Sequence, residues 1–284
     1  MSSIQKVKST IKSTQQTKKI TYAMQLVSVS KLGRTQENMK KAKPYAHKML
    51  EVIEHLASAK SEYSHPFLED REESKSIGII IVSSDRGLCG GLNINLFKQV
   101  LHFMREKENQ GLKVYLSVYG NKGIHFFKRT QAEIISEATK MGDNPKINQL
   151  IGVAHSMTRM YREHGVDRVY IAGNDFKNVM TQTPFIRQML PLPKQDKPLR
   201  SHSWDYLYEP DSERVVDLLL HRYIESQIYQ TVVENVACEQ ASRMMAMKNA
   251  TDNAEEIIND LKLMFNKARQ AAITQELAEI VGGS

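Results

Sequence analysis

Helix breakers are missing from the last third of this 284-residue chain. No glycine occurs between Gly173 and Gly282, and no proline follows Pro210. A stretch rich in Ala, Glu, Lys, Leu, Met and Gln without either residue has no internal stop signal and predicts one continuous helix. At 1.5 Å per residue such a helix would be on the order of 100 Å long. It cannot bury itself in one compact core, so a shaft, a coiled coil or a lever is expected.

Other absences narrow the class. The two cysteines, Cys89 and Cys238, lack CxxC spacing. That excludes a disulfide framework and a four-cysteine zinc site, fits a reducing compartment, and leaves two buried or half-buried thiols as the expectation. No apolar run is long enough for a transmembrane helix, and the polar N-terminus has no signal-peptide core, so a cytoplasmic protein is expected. The nine histidines show no HxxxH or HExxH pairing, and GxSxG is absent, so neither a metal site nor a serine nucleophile is expected.

What is present is a folded composition, 41% hydrophobic and 25% charged, with charge unevenly spread. Residues 1–60 carry 12 Lys/Arg against Glu37, Glu51 and Glu54; residues 209–284 carry 7 against 13 Asp/Glu. A basic N-terminal segment and an acidic C-terminal helix attract each other.

Residues 4–60 also read as helix. Ile4, Val7 and Ile11 are spaced three and four apart. Ala42, Met49 and Leu56 recur every seven, with Tyr45/Ala46 and Val52/Ile53 between them, as along a coiled-coil seam. Thr14, Lys18 and Thr21 fall where apolar residues are expected, and Gly33 and Pro44 interrupt the pattern. In the C-terminal helix Ala254, Ile257, Leu261, Met264, Ala268, Ala271, Gln275 and Ala278 alternate steps of three and four. The two helices are expected to pair antiparallel. Starting them level near residues 59 and 209 sets residue i against residue 268 − i. Met24 then lies near Met244, beside Arg243, and Ile4 near Met264. The helix from Arg269 to Val281 is left unpaired.

The middle alternates strand and helix. Strands are expected at 77–83 (IGIIIVS), 113–119 (KVYLSVY) and 167–172 (DRVYIA), with an edge strand at 180–190. Helices are expected at 92–108, 121–128 and 146–164. Strand–helix alternation implies a Rossmann-like α/β domain of mostly parallel sheet. The expected organisation is an N-terminal coiled-coil helix at 1–60, an α/β domain with its connecting segments at 61–208, and a C-terminal coiled-coil helix at 209–284.

Residues 84–91 (SDRGLCGG) lie between a strand and a helix, where α/β folds bind phosphate. They match neither GxGxxG nor GxxxxGK[ST], so a turn is the better reading, with Asp85 and Arg86 as a turn cap or ion pair. Two other classes remain open from composition: a nucleotide-binding α/β enzyme with helical arms, and a basic coiled-coil protein that binds nucleic acid. No nucleic-acid-binding motif accompanies the basic segment.

Four blocks carry a family resemblance over nearly the whole chain: 17–24 (TKKITYAM), 84–93 (SDRGLCGGLN), 239–253 (EQASRMMAMKNATDN) and 266–283 (NKARQAAITQELAEIVGG). They resemble the gamma subunit of F-type ATP synthase, most closely its bacterial members. The resemblance implies a central-stalk rotor that turns inside three alpha and three beta subunits. Its α/β foot would sit with epsilon on the membrane ring of c subunits, with delta a further candidate partner. Catalysis would belong to the beta subunits, so no catalytic residue, cofactor, small-molecule substrate or nucleic-acid partner is expected for this chain. The implied location is the cytoplasmic face of the bacterial inner membrane, peripherally bound. Met24 and Arg243 match coupling positions. Arg269, Gln270, Thr274 and Glu276 match a polar patch that engages the beta subunits. Tyr206, Tyr208 and Glu209, in the stretch 204–210 (WDYLYEP), match the region facing epsilon and the c ring. Residues 27–32 (VSVSKL) are more polar and branched than the family's usual version. No inserted cysteine pair is present, so no thiol switch is expected.

Overall fold

The computed structural model describes residues 2–58, 65–68, 71, 74–192 and 212–283. The first and last elements are long helices, α1 (Ser2–Ser58) and α5 (Ser212–Gly282). The 71-residue α5 is the single helix that its lack of breakers predicts. α1 is one helix through Gly33 and Pro44, as expected for residues 4–60 despite the two interruptions of its pattern. Two compact units are distinguished, and both helices contribute to each: Met1–Ser30 with Arg243–Ser284, and Lys31–Ser242.

The larger unit holds the α/β domain. In chain order it contains β1 (Ser76–Val82), α2 (Leu92–Asn109), β2 (Lys113–Tyr119), α3 (Asn121–Phe127), β3 (Glu133–Ala138), α4 (Ile147–Arg162), β4 (Arg168–Phe176) and β5 (Gln182–Leu190). The sheet order is β3-β2-β1-β4-β5. The first four strands are parallel and β5 is antiparallel to β4. Strand β3 was not legible beforehand. Its sequence, EIISEA, is half charged or hydroxylic and only partly buried, as suits an edge strand.

Strand β1 is buried throughout, which is why it reads as a run of β-branched residues with only Gly78 among them from Ile77 to Val82. Its alternate residues serve two cores. Ile77, Ile79 and Ile81 pack with Leu96, Val100 and Met104 of α2 and Phe127 of α3. Ile80 and Val82 pack with Leu150 and Met157 of α4 and with Leu220, Ile224 and Ile228 of α5. Thus the early turns of α5 are a layer of the α/β domain, as well as the start of a long helix. Gly78 admits α4 at close range, because a Cβ there would fall 2.2 Å from the Met157 sulfur.

The strand base is fixed by a carboxylate. Asp167 Oδ2 accepts from the Lys75 and Ser76 amides at 2.8 and 3.1 Å and from Ser76 Oγ at 3.3 Å. Burial pushes its pKa up, but these bonds and one from Arg71 outweigh burial and hold it below the usual carboxylate range.

Candidate functional site

The smaller unit contains the residues that the sequence singles out on the helical pair. Thr21 Oγ1 lies 2.8 Å from Thr251 Oγ1, and Lys18 Nζ lies 2.8 Å from Glu255 Oε1. As one number rises the other falls, so the helices run antiparallel. The paired positions sum to 272 and 273, whereas level starts at 59 and 209 gave 268. The register is therefore shifted by about one turn. The two helices do not start level, because the first turns of α5 serve the α/β core.

The seam of α1 includes Ile4, Val7, Ile11, Thr14, Lys18, Thr21, Met24, Gln25 and Ser28, all buried or half-buried. Thr14, Lys18 and Thr21 do occupy core positions, and the seam is polar there. Lys18 reaches this position by keeping its ammonium at the edge, on Glu255. On α5 the seam is Met247, Thr251, Ala254, Ile258, Leu261, Phe265, Ala268 and Ala272. The expected seam agrees at Ala254, Leu261 and Ala268. It fails at Ile257, Met264 and Ala271, where the next residue faces inward instead. Ile257 and Met264 are about half exposed. Both choices keep a three–four repeat, and the sequence offers apolar residues at 257 and 258 and at 264 and 265.

The ion pair adds little to the pairing, since Lys18 and Glu255 side chains are 33% and 61% exposed. The Lys18 hydrogen bond and charge do hold the Glu255 carboxyl below its usual range.

Met24 is half-buried, and Arg243 is buried, at 7% exposure. In the observed register Met24 stands level with Lys248. Arg243 is then roughly 7 Å away along the axis, about one and a half turns. Beyond Ala268, which lies level with Ile4, α5 runs on past the start of α1. Arg269, Gln270 and Thr274 are exposed on this overhang, with Thr274 Oγ1 donating to the Gln270 carbonyl at 2.9 Å. Glu276 belongs to the same helix, and its side chain lies outside the described residues, as do Tyr206, Tyr208 and Glu209.

Part of the solvent surface of this unit is apolar. Ile20, Tyr22, Leu26, Val27 and Val29 of α1 are each about half exposed, as are Leu263, Met264, Ile273 and Leu277 of α5, and Val281 is 77% exposed. Composition shows these residues but not their side of the helix. Only the polar seam reveals that the apolar residues of 20–29 face outward.

The turn at 84–91 belongs to the larger unit and is internally satisfied. The Ser84 amide donates to Asn93 Oδ1 at 3.2 Å. Asp85 accepts from the Asn121 amide at 3.1 Å and the Met141 amide at 3.0 Å. Its carboxylate thus ties the turn to the start of α3 and to the loop after β3. Cys89 and Cys238 are free and buried, pack in one small cluster with Leu92, and burial drives the Cys238 thiol pKa far up. That thiol is therefore protonated and unreactive.

Terminal helices that pair antiparallel, with a mostly parallel α/β sheet inserted between them, define the class: an α/β protein with a coiled coil built from its two ends. Comparison with known proteins gives the family. A family model described as ATP synthase matches residues 3–284. The ATP synthase gamma chain of Legionella pneumophila (strain Paris) is 51% identical over 286 positions, covering 100% of this chain and 99% of the relative. That of Nitrosococcus oceani is 53% identical over 288 positions, with the same coverage. This chain belongs to the ATP synthase gamma chain family, in its bacterial form.

Solved structures share the fold. A chain of the Euglena gracilis mitochondrial ATP synthase (OSCP/F1/c-ring, rotational state 3) superposes with a TM-score of 0.68 at 18% identity, covering 99% of this chain and 93% of that one. A chain of the Tetrahymena thermophila mitochondrial ATP synthase central stalk and c ring gives 0.61 at 24% identity, covering 81% and 99%.

Proposed function

We propose that this chain is the central-stalk rotor of an F-type ATP synthase. Its paired helices turn inside a ring of three alpha and three beta subunits. Its α/β foot, residues 61–208, rests with epsilon on the membrane c ring and links ion flow to ATP synthesis or hydrolysis on the beta subunits. The working location is the cytoplasmic face of the bacterial inner membrane. No helix among the described residues is long and apolar enough to cross a membrane, in keeping with a peripheral subunit.

The observation that carries this reading is the two exposed apolar stretches of the helical pair, Ile20 to Val29 on α1 and Leu263 to Val281 on α5. Exposed apolar side chains along both helices call for an enclosing surface. A sleeve met through weak, non-directional contacts holds no single orientation strongly, which suits rotation. The exposed Arg269, Gln270 and Thr274 on the overhang, with Glu276, would add orientation-dependent contacts. These bias the beta sites into different conformations through differential contact free energy. Met24 and Arg243, both withdrawn from solvent, would set the shape of the pair that transmits this bias.

Co-expression with the alpha and beta subunits of the same organism, followed by native mass measurement, tests the assignment. A three-to-three-to-one assembly is expected. Tight, stoichiometric ATP binding to this chain alone, without such an assembly, would overturn it in favour of an enzyme.

A further inference from the structure

We propose that a cluster of polar contacts between α5, α1 and the C-terminal edge of the sheet, buried at Asn174, Asn235 and Gln240 and open to solvent at Asp143 and Lys31, is the torque-bearing joint of this chain, with Asn235 and Asp143 as its positioning residues. The proposal rests on the rotor reading and adds the place where foot and shaft are locked together.

Early in α5, contact with the sheet is apolar, through Leu220, Ile224, Ile228 and Val232. Further along, α5 stays buried but carries polar side chains toward the domain: Asn235 and Gln240 are each 2% exposed. Asn174 Nδ2, at the end of β4, donates to Asn235 Oδ1 at 2.8 Å. The Phe176 amide donates to Glu234 Oε1 at 2.9 Å. One carboxylate, Asp143, then joins both long helices to the domain. Its Oδ1 accepts from Gln240 Nε2 at 2.9 Å, and its Oδ2 lies 2.6 Å from Lys31 Nζ of α1. The loop that carries Asp143 is itself tied down where the Met141 amide donates to Asp85.

Stability alone does not explain this chemistry. A buried polar pair is at best slightly favourable, and apolar residues of the same shape often do as well or better. Hydrogen bonds differ from apolar packing in being directional: they weaken steeply as the donor angle departs from linear. Apolar packing holds a helix near a sheet but lets it slide or turn about its axis more readily. The helix also packs closely on β4, because a Cβ on Gly173 would fall 2.6 Å from the Thr231 methyl, Cγ2. Close approach and directional bonds together oppose rotation of α5 against the domain. This is the load a rotor meets where its foot is driven and its shaft resists.

The test uses the assembled complex, with a bead attached through Arg105→Cys on the exposed face of α2. Both native cysteines are buried and unlabelled. ATP-driven rotation is followed while viscous load is increased. In Asn235→Leu and in Asp143→Ala, rotation at negligible load should persist, and the torque delivered to the bead should fall severalfold. Asp143→Asn keeps the acceptor for Gln240 and should recover part of it. Torque equal to the parent in Asp143→Ala would overturn the joint. That variant carries the test alone should Asn235→Leu fail to assemble, since the Asp143 side chain is 44% exposed and its loss should be tolerated by the fold. A parent complex that hydrolyses ATP without turning the bead would instead overturn the rotor reading itself.

Discussion

Thr21 and Thr251, 230 positions apart in the chain, place their hydroxyls 2.8 Å apart in the seam of the helical pair. Each hydroxyl also reaches a carbonyl of its own helix, Lys18 for Thr21 at 3.0 Å and Met247 for Thr251 at 2.8 Å. Each hydroxyl has one proton, so at any moment one donates across the seam and the other to its own backbone. A single polar contact in a seam of this kind fixes register at some cost in stability.

Thr21→Val and Thr251→Val should therefore each destabilise the chain by about 1 kcal/mol or less, because the remaining hydroxyl still has a backbone acceptor. The double variant should be less destabilised than the sum of the two. Urea unfolding of all four proteins gives the coupling energy, and strict additivity would show that the cross-seam bond has no energetic meaning.

Met24→Lys should impair coupling more than assembly. The new ammonium enters a half-buried position level with Lys248 and near buried Arg243, where like charges repel on the order of 1 kcal/mol. Ion transport per ATP hydrolysed is the readout. A drop is expected, with part of it relieved by added salt. A parental ratio would remove Met24 from the coupling path.

Truncation after Gln270 removes helix that is exposed at every described position except half-buried Ala272. The chain should still fold, and its hold on the alpha and beta subunits should weaken. Native mass measurement on dilution should show earlier loss of the truncated subunit from the assembly. Equal retention would mean that the overhang contributes no binding.

Asp167→Asn should destabilise the α/β domain by about 1–3 kcal/mol at neutral pH, the range for hydrogen bonds to a charged group. The Asp167 carboxyl has a folded pKa below its unfolded one. Its contribution is thus complete above roughly pH 4 and is lost as pH falls from there toward the folded value. Urea midpoints of parent and variant should converge in acid. A gap that is constant from pH 7 to pH 3 would contradict the assignment.

The sequence made the long helix α5, the central strand β1 and the α/β alternation legible, because each is written in local periodicity or in the absence of breakers. It hid β3, whose Glu133, Ser136 and Glu137 give an edge strand the look of a loop. It also left the seam ambiguous at 257/258 and 264/265, since both neighbours are apolar and only the partner helix decides between them. The hydrogen bonds of Asp143 to two helices join residues about 100 positions apart, and no local pattern announces such a contact. The polar patch on the overhang was found through family blocks, and its exposure adds the physical setting.

The insertion of the α/β domain between α1 and α5 has a consequence during biosynthesis. Thr21 leaves the ribosome long before Thr251 exists, and at ~5–20 residues per second the wait is roughly 10–45 s. Through that interval α1 carries its seam with no second helix to cover it, beside Ile20, Tyr22 and Leu26, which α5 leaves exposed even in the finished chain. A newly made chain must be shielded from its neighbours until its last residues are translated, so the abundance of chaperones should govern its yield as much as the stability of the finished fold.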